Sequence, residues 1–391
     1  MRVVAALLAL ALPFRAAPAP PPPPAPPPRA LLAVAFSADA GGAFLTRYDL
    51  DSGVVARRGG ALPFGAAPLG AAALLDAGGV FWSAAAFDAG AGAQTALVAL
   101  GASDGAPVAW LNVSGWPGVP SDRALVAALL EQKGARGEGR GVYAVVTVPA
   151  VQRGGGGGGG DDDPAAGGGG AGGATVASAV YVYFVSAGGA EVTLVGAASA
   201  SGSERDGSRC AEWLEWAIAP GAVPFPSVLF GLCRMATADG ATAPLPAVFL
   251  FALSPFTRAP FSPLSFLFAR TLPAGAAALV WDAGAKGSGD VAFLVDGAPL
   301  NVTTLAFPSL RAAARGALPG DFSRATIAGP KALDAARGAA YAMLGVSATQ
   351  GLAAVGFDVR AATTALVGAP TQVCSFMEEC PTAWAFTDTV L

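Results

Sequence analysis

Residues Leu75–Trp110 read LDAGGVFWSAAAFDAGAGAQTALVALGASDGAPVAW. Three apolar runs stand out in this stretch: Val80-Phe81-Trp82, Leu97-Val98-Ala99-Leu100 and Val108-Ala109-Trp110. Gly-rich or Asp-Gly segments separate them, the clearest being Ser103-Asp104-Gly105. Short apolar runs bounded in this way read as strands joined by hairpins. Asp tolerates and caps such a turn, and Gly supplies its positive φ. The same order returns at Trp281-Asp282, Val291–Val295, Asp296-Gly297 and Leu300-Asn301-Val302. It returns again at Leu333-Asp334, Ala340–Leu344, Leu352–Asp358 and Ala365-Leu366-Val367. A unit of about 50 residues with four short strands predicts an all-β protein, a β-propeller of four-stranded antiparallel blades.

Working outward, the repeats divide at 66–118, 122–200, 208–270, 274–318 and 324–372. The piece 31–64 matches only the later strands of a unit: Leu31–Ser37 corresponds to Val80–Ala86, and Phe44–Val55 to Thr95–Val108. Its first strand is missing. The end of the chain, with Trp384, Phe386, Thr387 and Val390, supplies one further apolar strand. The expectation is a six-bladed ring, seven blades being the alternative, whose first blade is completed by the C-terminal strand. Such closure removes open sheet edges.

The chain has 391 residues, 53% hydrophobic and 13% charged, long enough for a large core or one closed repeat array. Much of the apolar fraction is Ala. Ala is a strong helix former in isolation, but here it alternates with Val, Leu, Phe and Gly at period two, and no helical apolar stripe persists. The net charge is -4, with no basic stripe, so nucleic acid is not an expected partner. Histidine is absent, which excludes Ser-His-Asp triads, Cys-His dyads and His-ligated metals. Acid–base chemistry would fall to Asp, Glu, Lys, Tyr or Cys.

Met1-Arg2 followed by the apolar run Val3–Leu12 reads as a secretory signal peptide over 1–17, too short to span a bilayer. Ala17-Pro18-Ala19 has the small-x-small form of a cleavage site. Residues 18–29 form a Pro/Ala-rich linker of polyproline character. Residues 30–391 are then one domain, interrupted at 153–174 by a Gly/Asp loop between the apparent strands Val142–Val148 and Val176–Val185. Two sequons, Asn112-Val113-Ser114 and Asn301-Val302-Thr303, agree with secretion. So does the even set Cys210, Cys233, Cys374 and Cys380, which allows three pairings. Proximity favours Cys210–Cys233 and Cys374–Cys380. No other segment has the apolar length of a membrane span.

Ala99-Leu100-Gly101-Ala102-Ser103-Asp104-Gly105-Ala106-Pro107-Val108-Ala109-Trp110 resembles the strand–turn–strand of quinoprotein-like (PQQ-like) propeller repeats, and Tyr48-Asp49-Leu50-Asp51-Ser52-Gly53-Val54 is similar. The resemblance implies the propeller architecture. Gly101 stands where that family carries Asp, and no cofactor is implied.

Two clusters could carry chemistry. Glu212-Trp213-Leu214-Glu215-Trp216 combines carboxylates with indoles, a pairing that binds sugars, the alternative being that both indoles pack in the core and both carboxylates face solvent. As a regular strand it would put Glu212 and Trp216 on one face, and Trp213 and Glu215 on the other. Asp76, Asp282 and Asp334 hold matching places in their repeats and would meet at one mouth of a ring, where they could hold a cation or a basic ligand. The alternative is ordinary turn chemistry. The composite expectation is a secreted, non-enzymatic binding or protein-interaction module without cofactor or metal, whose ligand is a protein or a glycan. A carboxylate-based glycan hydrolase or lyase is one alternative, and a structural wall or matrix protein another.

Overall fold

The computed structural model describes residues 30–37, 40–50, 52–75, 79–90, 92–119, 124–133, 139–148, 179–199, 209–220, 227–236, 245–253, 265–271, 276–282, 290–295, 301–306, 311–317, 326–334, 339–346, 351–358, 371–375, 381 and 383–387. The signal peptide, the Pro/Ala linker, the Gly/Asp loop, Asp76 and Cys380 lie outside the described residues.

The strands in chain order are β1 (Ala30–Ser37), β2 (Gly42–Asp49) and β3 (Val55–Arg58); then β4 (Ala67–Leu75), β5 (Val80–Asp88), β6 (Ala93–Gly101) and β7 (Pro107–Asn112). Next come β8 (Leu125–Lys133), β9 (Gly139–Val148), β10 (Ala179–Ser186) and β11 (Val192–Ser199), then β12 (Arg209–Pro220), β13 (Ser227–Ala236), β14 (Leu245–Leu253) and β15 (Ser265–Thr271). The last are β16 (Ala276–Asp282), β17 (Asp290–Val295), β18 (Asn301–Ala306) and β19 (Arg311–Ala317), then β20 (Thr326–Asp334), β21 (Ala339–Val346), β22 (Gly351–Asp358), β23 (Thr371–Ser375) and finally β24 (Trp384–Thr387). Among the described residues there is no α-helix. The chain is all-β, built of four-stranded antiparallel sheets consistent with a β-propeller.

Among the described residues, five sheets are simple meanders: β4 to β7, β8 to β11, β12 to β15, β16 to β19 and β20 to β23. The remaining sheet has the order β24-β1-β2-β3. In it Ala30 pairs with Thr387, and Ala33 with Trp384. The strands β9 and β10, on either side of the Gly/Asp loop, pair directly, Val142 opposite Val185 and Val148 opposite Ala179.

The reason the strands are apolar on both sides is visible in the packing. In β5, Phe81, Ala85 and Phe87 face a cluster shared with Leu32, Val34 and Leu45 of the first sheet. The alternate residues Trp82 and Ala84 face a second cluster shared with Val142, Ala144 and Tyr183 of the β8–β11 sheet. Tyr143, Val145, Val180 and Val182 then face Trp216, Leu229 and Cys233 of the β12–β15 sheet. Period-two alternation therefore sends side chains into two different interfaces, not into core and solvent. Leu31, Ala33 and Tyr48 pack with Met343, Cys374 and Trp384, which joins the first sheet to the β20–β23 sheet. The first strand of each meander also lies beside first strands of its neighbours: β4 beside β24 and β8, β12 beside β8 and β16, β20 beside β16 and β24.

The two turns that carried the family resemblance have one geometry. Gly53 N donates to Asp49 O and Asp49 N to Val54 O, each at 2.9 Å. In the β6–β7 turn, Gly105 N donates to Gly101 O at 2.7 Å and Gly101 N to Ala106 O at 2.8 Å. The capping carboxylate changes place. Asp49 accepts from Ser52 N in one turn, and Asp104 from Ala106 N in the other. A Cβ on Gly101 would stand 2.3 Å from Asp104 Oδ1, so the Asp104 carboxylate occupies the space that a side chain at 101 would need.

Candidate functional site

The Glu212–Trp216 segment lies in β12, paired with β13. The ladder matches Glu212 with Arg234, Trp213 with Cys233, Glu215 with Leu232 and Trp216 with Gly231. Register shifts between Cys210 and Glu212, and between Trp213 and Glu215, leave Ala211 and Leu214 outside the ladder. An extra residue in one strand turns the following side chains over. The face assignment expected for a regular strand is thereby corrected. Trp213 and Trp216 are neighbours, with ring centroids 4.4 Å apart and planes at 32°. Both lie against Gly231, where a Cβ would approach Trp213 Cζ3 to 2.5 Å and Trp216 Cζ3 to 2.7 Å. Trp216 is buried with Tyr143, Val145, Val180 and Val182, and the half-buried Trp213 packs against the same cluster. The indoles fill the space between the third and fourth sheets. Glu215 is half-buried. The Glu212 backbone is in β12, and its side chain is outside the described residues.

Asp282 and Asp334 are the last residues of β16 and β20, opposite Asp290 and Ala339. Both strands are the first of their sheets, so topology puts the two backbone positions at equivalent strand ends. Their side chains, like the whole of Asp76, are outside the described residues. Among the described residues no three His, Cys, Asp or Glu side chains group as metal ligands would.

Cys233 and Cys374 are each disulfide-bonded, and no described cysteine is free. Cys210 contributes backbone to β12 opposite Met235. Asn301 opens β18 opposite Val295 and Ala317. Asn112 ends β7, exposed. Its Oδ1 accepts from Ser114 N at 3.0 Å and from Ser114 Oγ at 2.7 Å. Its Nδ2 donates to Gln94 Oε1 at 2.7 Å.

Sequence reasoning missed an aromatic group beside this asparagine. Phe64 is 71% exposed and sits at φ 59°, ψ 23°, left-handed backbone that bulky residues rarely adopt. Gly65 follows at φ 60°, and Ala66 N closes the turn onto Pro63 O at 3.2 Å. The Phe64 ring meets Trp110 edge-on at 5.2 Å and Phe87 at 6.4 Å, and Phe87 meets Trp110 at 5.1 Å. Leu62-Pro63-Phe64-Gly65 held a signal, an aromatic directly before a turn glycine, but nothing local says which rings it joins.

The titration of Tyr183 moves clearly. Burial pushes its hydroxyl well above the ordinary tyrosine range, with Tyr181 adding to the effect. It donates to Pro117 O at 2.6 Å and packs on Trp116. It is a core anchor between β10 and the loop after β7.

No helix among the described residues is long and apolar enough to cross a membrane. No protein-family profile matches the chain, and no curated protein matches its sequence. Solved structures do resemble it in form. A protein of unknown function from Bacteroides caccae is 11% identical, over 93% of this chain and 100% of that one, with a TM-score of 0.49. A candidate 6-phosphogluconolactonase from Bacteroides fragilis is 14% identical, over 87% of this chain and 81% of that one, with a TM-score of 0.44. Regucalcin, a calcium-binding protein from Agrobacterium tumefaciens, is 13% identical, over 81% of this chain and 82% of that one, with a TM-score of 0.39.

Proposed function

We propose that the protein is a closed six-bladed β-propeller of the secretory pathway that acts as a non-enzymatic binding module for a protein or glycan ligand. The observation that carries the reading is the order of the first strands. Each of β4, β8, β12, β16, β20 and β24 lies beside the next, and β20 and β24 lead from the last full sheet back to the first. The cluster of Leu31, Ala33, Met343, Cys374 and Trp384 supports the same closure. A ring of this kind leaves its first strands around one axis, and their ends form two mouths.

The leader, the sequons at Asn112 and Asn301, and the disulfide-bonded state of Cys233 and Cys374 support an oxidising compartment. The pairing we infer is Cys210–Cys233 and Cys374–Cys380. At the mouth, Asp76, Asp282 and Asp334, which hold matching places in the sequence repeats, would favour a basic ligand. A glycan hydrolase acting through Glu212 and Glu215 draws no support from the indoles beside them, because Trp213 and Trp216 are packed between sheets.

The test is calorimetric titration of the secreted protein with an oligo-lysine peptide at low and high salt. Binding that weakens with salt and disappears in the Asp76→Asn, Asp282→Asn, Asp334→Asn triple variant supports a ligand at the mouth. Substrate turnover lost on replacing Glu212, Glu215 or one of these Asp residues would overturn the non-enzymatic reading.

A further inference from the structure

We propose that Asn112 carries an N-linked glycan whose first N-acetylglucosamine lies over the Phe64, Phe87 and Trp110 rings, so that the exposed aromatic surface is covered by the protein's own sugar. The inference rests on the reading that the chain enters the secretory pathway.

The argument begins with strand geometry. Alternate residues of β7 share a face, so Trp110 and Asn112 point to the same side, about 7 Å apart along the strand. Trp110 belongs to the face of its sheet that turns toward the first sheet, with Val98 opposite. Asn112 is opposite Ala96, two residues before Val98 on that face. Gln94, which accepts the Asn112 amide, is directly opposite Phe87. Phe87, Gln94, Asn112 and Trp110 therefore occupy one surface, and Phe64 reaches over it from the turn before β4.

Three further observations point to a sugar. Asn112-Val113-Ser114 is a complete acceptor tripeptide, exposed at the asparagine. Ser114 N and Oγ both donate to Asn112 Oδ1, which turns the amide nitrogen toward Gln94 and the aromatic face. Phe64 keeps a strained backbone while leaving most of its ring in water, and strain of this kind persists where a functional contact requires the residue. A pyranose presents C–H groups to such rings and hydroxyls to solvent, which suits a surface apolar at its centre and polar at its edge.

Transfer forms a bond between Asn112 Nδ2 and the anomeric carbon of the sugar. It breaks the bond from that carbon to the pyrophosphate oxygen of a lipid-linked oligosaccharide donor. The lipid pyrophosphate leaves, and one amide proton passes to a base of the transferring enzyme. The second amide N–H remains and can still donate to Gln94.

The experiment uses the full chain secreted by a glycosylating eukaryotic host, with peptide mass spectrometry of the new N-terminus, Asn112 and Asn301. One sample is treated with an endoglycosidase that leaves a single N-acetylglucosamine, another with an amidase that removes the whole glycan. The expected result is an occupied Asn112, an unchanged Tm after trimming to one sugar, and a lower Tm with increased hydrophobic-dye binding after complete removal. Those losses should shrink in Phe64→Ser, an exposed position that leaves the core intact, and in Trp110→Ala. A leader-bearing chain that never enters the pathway overturns this inference together with the secretory reading. A secreted, leader-free chain with bare Asn112 overturns the inference alone. An occupied Asn112 whose complete removal changes neither Tm nor dye binding overturns the covering role.

Discussion

Gly231 is the position where a single methyl group tests the β12 geometry. A Cβ there would lie 2.5 Å from Trp213 Cζ3, 2.7 Å from Trp216 Cζ3 and 3.0 Å from Trp216 Cη2. Carbon atoms in ordinary contact stand about 3.5–4.0 Å apart, so both rings must retreat by roughly 1 Å. They are stacked on each other, and Trp216 is enclosed by Tyr143, Val180 and Leu229. Overpacking of this order costs about 1–3 kcal/mol. Replacing a strand glycine by alanine otherwise gains roughly 0.5–1 kcal/mol. Gly231→Ala should therefore destabilise the protein by about 1–2 kcal/mol. In a Trp213→Ala background the nearest ring is gone and Trp216 has room to move, so the same methyl should cost little or even help. The coupling between the two changes should reach about 1–2 kcal/mol. Urea unfolding of the four proteins of the cycle, followed by circular dichroism, measures it. A neutral Gly231→Ala, or an equal loss in both backgrounds, would refute the bulged register and the paired indoles.

Other outcomes follow from the same packing. Trp384→Ala removes a buried ring from the cluster joining the first and β20–β23 sheets and should cost about 3–5 kcal/mol in equilibrium unfolding, with Trp384→Phe recovering much of it. Tyr183 should stay protonated in an ultraviolet pH titration after ordinary tyrosines, near pH 10, have ionised. Because its folded value lies above the unfolded one, its contribution to stability is complete below the ordinary tyrosine value and declines as pH rises beyond it; unchanged stability there would contradict the burial. Tyr183→Phe loses the bond to Pro117 O and should cost about 1 kcal/mol, read by the same unfolding assay. Non-reducing digestion should yield linked peptides containing Cys210 with Cys233 and Cys374 with Cys380; any other linkage rules out the proposed pairing.

Much of the strand plan was legible in the sequence because it depends on local pattern. Val80–Phe87 and Leu97–Leu100 alternate between two apolar faces, and Asp104-Gly105 and Ser52-Gly53 mark turns whose hydrogen bonds need only neighbouring residues. The unmatched piece at 31–64 and the spare strand at the chain end were also readable, and β24 does pair with β1. The candidate site was far less legible. Glu212–Trp216 looks like an alternating strand, and only its ladder with β13 reveals the residues that fall out of register. Trp110 reads as the end of a short apolar run, whereas its contacts with Phe64 and Phe87 join a turn and two strands.

The division has a physical basis. The sequence by itself determined the short strands, the turns between them, the all-β class and the absence of histidine chemistry, because side-chain period, turn stereochemistry and composition are properties of adjacent residues. Only the tertiary structure decided that Trp213 and Trp216 stack against Gly231, and that Phe64, Phe87, Trp110 and Asn112 share one surface. Those contacts depend on strand register and on the approach of neighbouring sheets, and one inserted residue in a ladder is enough to turn a side chain from one interface to the other.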